Sequence, residues 1–236
     1  MNARRLRFSG DAFGVARSLL GQHLVRCLDG QRLSGRIVEV EAYLGPHDLA
    51  CHTVGGRRTA RNESMYLGGG HAYVYLIYGM HHCVNITTGP RESGAAVLIR
   101  GLEPLESLEV MHVRRGGIRS TRDLCRGPGR LCEALAIDRD LDGIDLRESR
   151  ELWIERAQSV SDSDILVGPR IGLGEAGLWS DAPLRLGVRG SGFVSRPVPV
   201  EMGSRALERA EMHMKSILKQ GSSDMLYHGE ETWRGR

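Results

Sequence analysis

The most restrictive feature of the sequence is an alternating segment at residues 36–43, Arg-Ile-Val-Glu-Val-Glu-Ala-Tyr. Successive side chains of a strand point to opposite faces, so one face is apolar and the other carries Glu39, Glu41 and Tyr43. The strand ends at Gly45-Pro46, and a loop with three more polar groups follows (His47, Asp48 and His52). This pattern alone fits either a half-solvated edge strand with idle glutamates or a cluster of groups for acid–base chemistry.

Length and composition favour a globular protein that stays where it is made. The 236 residues, 41% of them hydrophobic, suffice for one large domain or two small ones, and we see no internal repeat and no linker before residue 200. The sequence has neither a run of about 20 apolar residues nor the apolar segment of an N-terminal signal peptide. The five cysteines form no Cys-x-x-Cys pair, which argues against a disulfide framework and a structural zinc site.

Basic residues are unevenly distributed, and nearly all of them are arginine. Lys215 and Lys219 are the only lysines, the net charge is +3, and arginines are concentrated at residues 57–61 and 114–130, whereas residues 133–155 are rich in Asp and Glu. A basic half opposed to an acidic half indicates a polyanionic partner, although solvated surface arginines explain the charge equally well.

Periodicity and turn signals predict a mixed α and β chain. Asp29-Gly30 marks a hairpin that joins a strand at residues 22–28 to the strand at residues 33–43. A long loop at residues 45–70 leads to a second hairpin, at residues 72–87, that turns at Gly79. We expect further strands at 95–100, 151–154, 165–171 and 184–189, a turn or short helical segment at 172–177, and helices at 11–20, 105–113, 130–136 and 203–219.

The second hairpin holds three of the six tyrosines of the chain. Tyr73 and Tyr75 share one face, and Tyr78 falls on the opposite face beside Gly79. The aromatic rings either pack the hairpin against itself, which is common, or leave Tyr78 at the tip as a wedge.

Several motifs in order resemble the alkyladenine (3-methyladenine) DNA glycosylase family, the type found in mammals and many bacteria. They cover roughly residues 10–196 and include Glu41-Ala42-Tyr43-Leu44-Gly45-Pro46, Ala50-Cys51-His52, Gly55-Gly56-Arg57, Tyr73-Val74-Tyr75-Leu76-Ile77-Tyr78-Gly79-Met80, Val97-Leu98-Ile99-Arg100-Gly101-Leu102-Glu103-Pro104 and Arg170-Ile171-Gly172.

The resemblance implies a fold and an activity. The fold is α+β: a single domain with a curved, mostly antiparallel sheet, surrounding helices and a protruding β-hairpin that enters DNA. We expect the glycosylase domain to span residues 1–200, with a helical and polar extension at 201–236. The implied activity is that of a monofunctional glycosylase, which flips an alkylated or deaminated purine out of duplex DNA and hydrolyses its N-glycosidic bond.

The resemblance also implies roles for individual residues. Glu41 matches the catalytic carboxylate and Arg100 a group beside the attacking water, while the main-chain carbonyl of Ile171 matches one that helps to hold this water. Tyr78 matches the intercalating residue. The implied base pocket contains Tyr43, Ala50, His52, Tyr75, Asn85 and Ile171, with Asn85 at the exocyclic edge of the base. Expected contacts to the DNA backbone are Arg57, Met80, Gly127 and Arg130.

We expect the partner to be double-stranded DNA that contains damaged purines, and we expect no cofactor, no metal and no membrane contact. We expect a monomer, located in the cytoplasm with the nucleoid if the source is bacterial. The preferred base, among methylated purines, hypoxanthine and etheno adducts, stays open. Two other classes stay open as well: a DNA-binding or lesion-sensing protein without catalysis, and a metal-dependent hydrolase built on His52, His81 and His82.

Overall fold

A computed structural model describes residues 6–174, 176–198, 201–202 and 204–227, and side chains of the last helix up to residue 217. The described residues form nine strands and four α-helices. The helices are α1 (Ala12–Leu19), α2 (Leu108–Arg114), α3 (Pro128–Ala134) and α4 (Ser204–Tyr227). The strands are β1 (His23–Leu28), β2 (Gln31–Tyr43), β3 (Ala72–Ile77), β4 (His81–Thr88), β5 (Ala95–Glu106), β6 (Leu152–Glu155), β7 (Ile165–Gly168), β8 (Arg185–Val188) and β9 (Glu201–Met202).

The strands form one open sheet in the order β3-β4-β5-β2-β8-β7-β9, and β1 joins β2 to β6. Every strand pair among the described residues is antiparallel. The α+β class and the antiparallel sheet predicted from the sequence are therefore confirmed. Both hairpins are present as well, β1–β2 at Asp29-Gly30 and β3–β4 at Tyr78-Gly79.

The interpretation of the alternating segment as a half-solvated edge strand is wrong. β2 lies inside the sheet, paired with β1, β5 and β8 along different parts of its length. Glu39 and Glu41 are 0% exposed, just like Val38 and Val40 on the other face. A buried carboxylate is costly unless other groups compensate its charge, so both glutamates need partners inside the protein.

One helix begins later than the sequence predicts. The expected helix at residues 105–113 starts at Leu108, and the strand expected at 95–100 continues to Glu106. The cause is pairing with β2, which places Pro104 opposite Gly35. A Cβ on Gly35 would lie 2.9 Å from the Leu102 Cβ atom, so the close approach of the two strands requires glycine.

The C-terminal helix α4 packs into the same core as the sheet. Its buried side chains are Ala206, Leu207, Ala210, Met214 and Ile217. Their spacing of three to four residues is that of an amphipathic helix. Residues 228–236 of the predicted extension lie outside the described residues. None of the described helices combines the length and the apolar character needed to cross a membrane.

Candidate active site

A cleft of about 640 Å³ opens where the β3–β4 hairpin, the loop after β2 and the start of α3 meet residues 171–174 and 176. It brings together eight residues that the sequence analysis placed at the site: Tyr43, Ala50, His52, Tyr75, Tyr78, Asn85, Arg100 and Ile171. These residues come from five separate parts of the chain. Glu41 lies behind the cleft surface, hydrogen-bonded to Tyr43 and Arg100, both of which line the cleft.

Glu41 is held by three donors. Its Oε1 atom accepts a hydrogen bond of 2.7 Å from the Ile171 N–H, and its Oε2 atom accepts one of 3.0 Å from the Tyr43 hydroxyl. The Arg100 Nη1 atom lies 3.3 Å from Oε2. Burial raises the pKa of Glu41 above its ordinary value of 4.5, and the charge of Arg100 and the Ile171 N–H oppose that rise. The result is a desolvated carboxylate that is more basic than one in water.

Ile171 takes part in a way that the resemblance did not imply. Its carbonyl was expected to hold the attacking water, and that role stays a prediction. The contact present is made by its amide group, which donates to Glu41 and fixes the orientation of the carboxylate.

A second buried carboxylate, Glu39, holds Arg100 from the other side. Its Oε1 atom lies 3.5 Å from the Arg100 Nε atom and accepts hydrogen bonds from Arg185 at 3.0 Å and from the Ser195 hydroxyl at 2.9 Å. Arg100 sits at an irregularity of the β2–β5 ladder, where Glu39 pairs with Gly101 and Val40 with Ile99. Such bulges redirect side chains near functional sites. Arg100 is thereby placed between the two carboxylates.

Asp48 and Arg170 form a fully buried ion pair behind Tyr43. Both side chains are 0% exposed, and the Arg170 Nη2 atom lies 2.8 Å from the Asp48 Oδ1 atom. The Arg170 guanidinium stacks 4.6 Å from the centre of the Tyr43 ring. Asp48 also accepts hydrogen bonds from the N–H groups of Leu44 (3.1 Å) and Ala50 (3.0 Å). The pair therefore joins the loop after β2 to the segment that carries Ile171.

Aromatic rings form one wall of the cleft. Tyr73 and Tyr75 stack at 5.3 Å, and the His52 ring meets Tyr75 edge-on at 4.7 Å. The His52 Nδ1 atom is 2.7 Å from the Tyr73 hydroxyl, and the Asn85 amide donates to the Tyr73 carbonyl at 3.0 Å. Partial desolvation, followed by the charges of Arg61 and Arg57, lowers the pKa of His52 below 6.5, so the ring is neutral at neutral pH.

Tyr78 projects from the hairpin tip into solvent. Its side chain is 79% exposed, and that of Met80 is 69% exposed. Tyr78 adopts φ of 54° and Gly79 φ of 69°, so both central residues of the turn are left-handed. Glycine adopts this conformation without cost, whereas tyrosine does not. Beside the turn, at the first residue of β4, His81 packs against α3, where a Cβ on Gly129 would lie 3.1 Å from the His81 Cβ atom.

Most of the arginines at residues 114–130 contact acceptors of the protein itself, although Arg114, Arg119, Arg122 and Arg130 are exposed. Arg122 and Arg126 donate to the main-chain carbonyls of Gly192 (2.6 Å) and Val194 (2.8 Å), and Arg115 pairs with Glu133. Arg130 is exposed and lies 3.3 Å from Asp123. Two of these arginines, Arg122 and Arg126, thus hold the segment that leads to Ser195.

The remaining predicted contacts lie around the cleft. Arg57 is exposed on the long loop after β2, and Gly127 precedes α3, whose Pro128 and Gly129 line the cleft. Within the described part of the chain, no group of three His, Cys, Asp or Glu side chains is arranged to hold a metal ion.

The sequence analysis missed four charged residues of the site: Glu39 as a partner of Arg100, Asp48, Arg170 and Arg185. Glu39 and Asp48 were noted, but only as polar groups near Glu41. Arg170 appeared within a motif without a role. The only feature of the sequence that could have indicated these four residues is their position within strands or motifs that are otherwise apolar.

The geometry is that of an aromatic cleft with a desolvated carboxylate and its arginine directly behind it. The comparisons agree with it. The family model for Methylpurine-DNA glycosylase matches residues 7–192. DNA-3-methyladenine glycosylase of Mus musculus is 48% identical over 199 residues, which is 80% of this chain and 59% of the mouse protein.

The corresponding Homo sapiens protein is 47% identical and is covered over 66% of its length. A putative 3-methyladenine DNA glycosylase of Bacillus cytotoxicus is 44% identical, with 97% of its length covered. The chain therefore belongs to the methylpurine-DNA glycosylase family, although the match spans only about three-fifths to two-thirds of these two mammalian relatives.

Proposed function

We propose that the protein is a monofunctional DNA glycosylase that removes alkylated or deaminated purines from duplex DNA. The observation that carries the proposal is Glu41, a buried carboxylate whose two hydrogen-bonded side chains, Tyr43 and Arg100, both face the aromatic cleft. Family membership supports it, because the relatives are named as 3-methyladenine DNA glycosylases.

Glu41 acts as the general base in the proposed reaction. Its carboxylate takes a proton from a water molecule, the water oxygen attacks C1′ of the sugar, and the N-glycosidic bond breaks, leaving its electron pair on the base. A cationic methylated purine then leaves as a neutral molecule, whereas a neutral purine must also acquire a proton. Burial makes Glu41 a stronger base, while Arg100 and the Ile171 N–H keep it ionised.

The cleft receives the flipped base. Tyr43, His52 and Tyr75 offer flat rings for stacking, and Asn85 lines the pocket, where it would meet the exocyclic edge of the base. The glycosidic bond of a stacked nucleotide is inaccessible, so the nucleotide must rotate out of the helix at a cost of a few kcal/mol. Tyr78, exposed at the hairpin tip, enters the duplex and fills the space that the nucleotide leaves.

The reaction stops at base release. Strand cleavage by glycosylases requires an amine that forms a Schiff base with the sugar. Lys215 and Lys219 are the only lysines, and Lys215 lies on α4, beside α1 and residues 88–95 and outside the cleft. The Lys219 side chain and the N-terminal amine lie outside the described residues, so this part of the proposal rests on Lys215 and on the composition.

The proposed partner is duplex DNA, bound by a monomer in the cytoplasm, with the nucleoid if the source is bacterial. Arg57, Met80, Gly127 and Arg130 are the proposed backbone contacts around the cleft. Residues 1–200 form the proposed glycosylase domain and residues 201–236 its extension.

The experiment is incubation of the protein with duplexes that each carry one lesion: hypoxanthine, a methylated purine or an etheno adduct. Abasic sites are scored against an undamaged duplex, with and without a chelator. Release of at least one damaged base, unaffected by the chelator, supports the proposal. Tight binding of a lesion without release would instead identify a lesion-sensing protein, and loss of release in chelator a metal-dependent hydrolase.

A further inference from the structure

The buried pair Asp48–Arg170 lies next to the base pocket and makes no hydrogen bond to Glu41, although the charge of Arg170 helps to lower the pKa of that carboxylate. Arg170 touches neither solvent nor the cleft, whereas Tyr43 lines the cleft. The guanidinium therefore stacks on the side of the Tyr43 ring that faces away from the base. Its charge acts on the pocket through this ring.

The charge of Arg170 is only partly satisfied by hydrogen bonds. Nη1 and Nη2 contact Asp48, the Ala42 carbonyl at 3.0 Å and the Trp179 carbonyl at 3.5 Å. The buried Nε atom has no hydrogen-bond partner among the described residues. A buried donor without an acceptor is unfavourable, and the negative face of the Tyr43 ring partly replaces the missing acceptor.

A second arginine lies over the ring of another tyrosine that lines the pocket. The guanidinium of Arg61 lies 5.5 Å from the centre of the Tyr75 ring and donates to the Leu76 carbonyl at 2.8 Å. Tyr43 and Tyr75, which both line the pocket, are thus each in contact with an arginine.

A cation on one face of an aromatic ring weakens the attraction of the opposite face for a second cation. Both cations draw on the same ring electron density, and they also repel each other across the ring. Aromatic stacking and contact area are retained, so the attraction of the ring for a neutral purine is not reduced in this way. Arg170 therefore acts differently on cationic and on neutral bases.

We propose that Arg170, held in place by Asp48, is a specificity-determining residue that acts through Tyr43 and reduces the advantage of cationic alkylated purines over neutral purines. The inference rests on the proposed function, since it concerns the base that the cleft receives. It also explains why an ion pair is buried here: Asp48 holds the cation against the ring and moderates its charge.

Two variants test the sign of the effect. The double variant Asp48→Asn/Arg170→Gln removes both charges and keeps polar groups at both positions. We compare the single-turnover rate of release of 7-methylguanine, the cationic base, with that of hypoxanthine, the neutral base. The double variant should raise the ratio of the first rate to the second by about three- to tenfold. Asp48→Asn alone leaves Arg170 without its counter-charge and should shift the same ratio in the opposite direction.

The matched control carries the same two substitutions at an exposed ion pair. Asp164 and Arg189 lie 2.5 Å apart, with side chains about half exposed. Asp164→Asn/Arg189→Gln should leave the ratio at the wild-type value. Thermal unfolding of each variant shows whether it is folded at the assay temperature. If Asp48→Asn does not fold, the double variant alone decides, because it contains no unpaired buried charge.

Opposite shifts of the two variants, with an unchanged control, are the expected result. Equal slowing on both bases, or shifts of the same sign, would overturn the inference and show that the pair only holds the fold together. A wild-type protein that releases no base from any duplex would overturn the proposed function, and the inference with it. Active wild-type protein with an unshifted double variant would overturn the inference alone.

Discussion

Replacing Tyr78 should make the protein more stable and less able to hold a flipped nucleotide. Tyr78 has a left-handed backbone, and its side chain is 79% exposed, so it gains little from burial in the free protein. Residues without functional constraint rarely combine these features, because the conformation costs a bulky side chain energy. The informative changes are Tyr78→Asn and Tyr78→Gly, since asparagine and glycine tolerate positive φ.

The two effects have separate magnitudes. A left-handed conformation costs an L-residue about 1–2 kcal/mol, and asparagine recovers a part of this, which we take as about 1 kcal/mol. For a chain of this size, 1 kcal/mol raises the unfolding midpoint by about 2–4 °C. Glycine should gain less, because its greater backbone entropy in the unfolded chain offsets about 0.5–1 kcal/mol. Loss of one aromatic stacking contact with DNA costs about 1–3 kcal/mol, which corresponds to roughly 5- to 150-fold weaker binding.

The assays are thermal unfolding of the free protein and equilibrium binding to a lesion duplex. Binding is measured in a Glu41→Gln background, so that the base is retained, and on duplexes in which the lesion is paired or already extrahelical. We expect Tyr78→Asn to bind the paired lesion more weakly, with a smaller loss on the extrahelical one. Met80→Ala is the control for the unfolding measurement, because it removes an exposed side chain at the same tip without changing a left-handed residue. Equal losses on both duplexes, or a less stable Tyr78→Asn protein, would refute the reasoning.

Three further predictions concern the stability of the Glu41 variant, the salt dependence of DNA binding and the absence of strand cleavage. Burial raises the folded-state pKa of Glu41 above the unfolded value, so Glu41 favours folding below the unfolded pKa, and this contribution is lost as pH rises through the folded pKa. Glu41→Gln should therefore unfold at a higher temperature than wild type at about pH 7, and the difference should vanish towards about pH 4. A variant that is less stable than wild type at neutral pH would contradict this. Affinity for undamaged duplex DNA should fall steeply with salt concentration, because each phosphate contact contributes about −0.9 to the slope of log K against log [salt]. The double variant Arg57→Gln/Arg130→Gln should therefore make this slope less steep. A wild-type affinity that does not depend on salt would exclude an electrostatic interface. Borohydride trapping during turnover should give no protein–DNA adduct and no strand breaks before alkali; an adduct would identify an amine in the site.

Local patterns predicted much of the fold. The hairpins at Asp29-Gly30 and Tyr78-Gly79 were predictable because turn residues and alternation act between neighbours. Glu41 and Tyr43 were predictable as a pair, because a spacing of two puts them on one face of a strand, and they do share a hydrogen bond. The wrong start of the helix α2 has a non-local cause, the pairing of Pro104 with Gly35.

The burial and pairing of the charged residues could not be predicted. Glu39 looks like a solvated strand residue. Besides Arg100, its partners Arg185 and Ser195 come from about 150 residues further along the chain. The Asp48–Arg170 pair spans 122 residues in the same way. Alternation indicates which side chains share a face, but whether that face meets water is decided by the strands and loops that cover it.

The irregularity at Arg100 was also invisible in the sequence. A strictly regular ladder would continue the alternation of β5, whereas the extra residue turns Arg100 towards Glu39 and Glu41. Nothing in the letters Val-Leu-Ile-Arg-Gly-Leu marks that position, apart from the glycine after it. The resemblance to a known family supplied Arg100 as a site residue; its placement between two carboxylates came from the structure.

The central claim is that Glu41 activates water for attack on the sugar, and single-turnover base release by Glu41→Gln tests it most directly. The substitution keeps the shape of the side chain and an acceptor for the Ile171 N–H, and it removes the base. Wild-type rates should rise with pH through a pKa above 4.5, the direction in which burial shifts Glu41. The account predicts that Glu41→Gln binds the lesion duplex nearly as well as wild type and releases no base at any pH. Near-normal release by Glu41→Gln would contradict it.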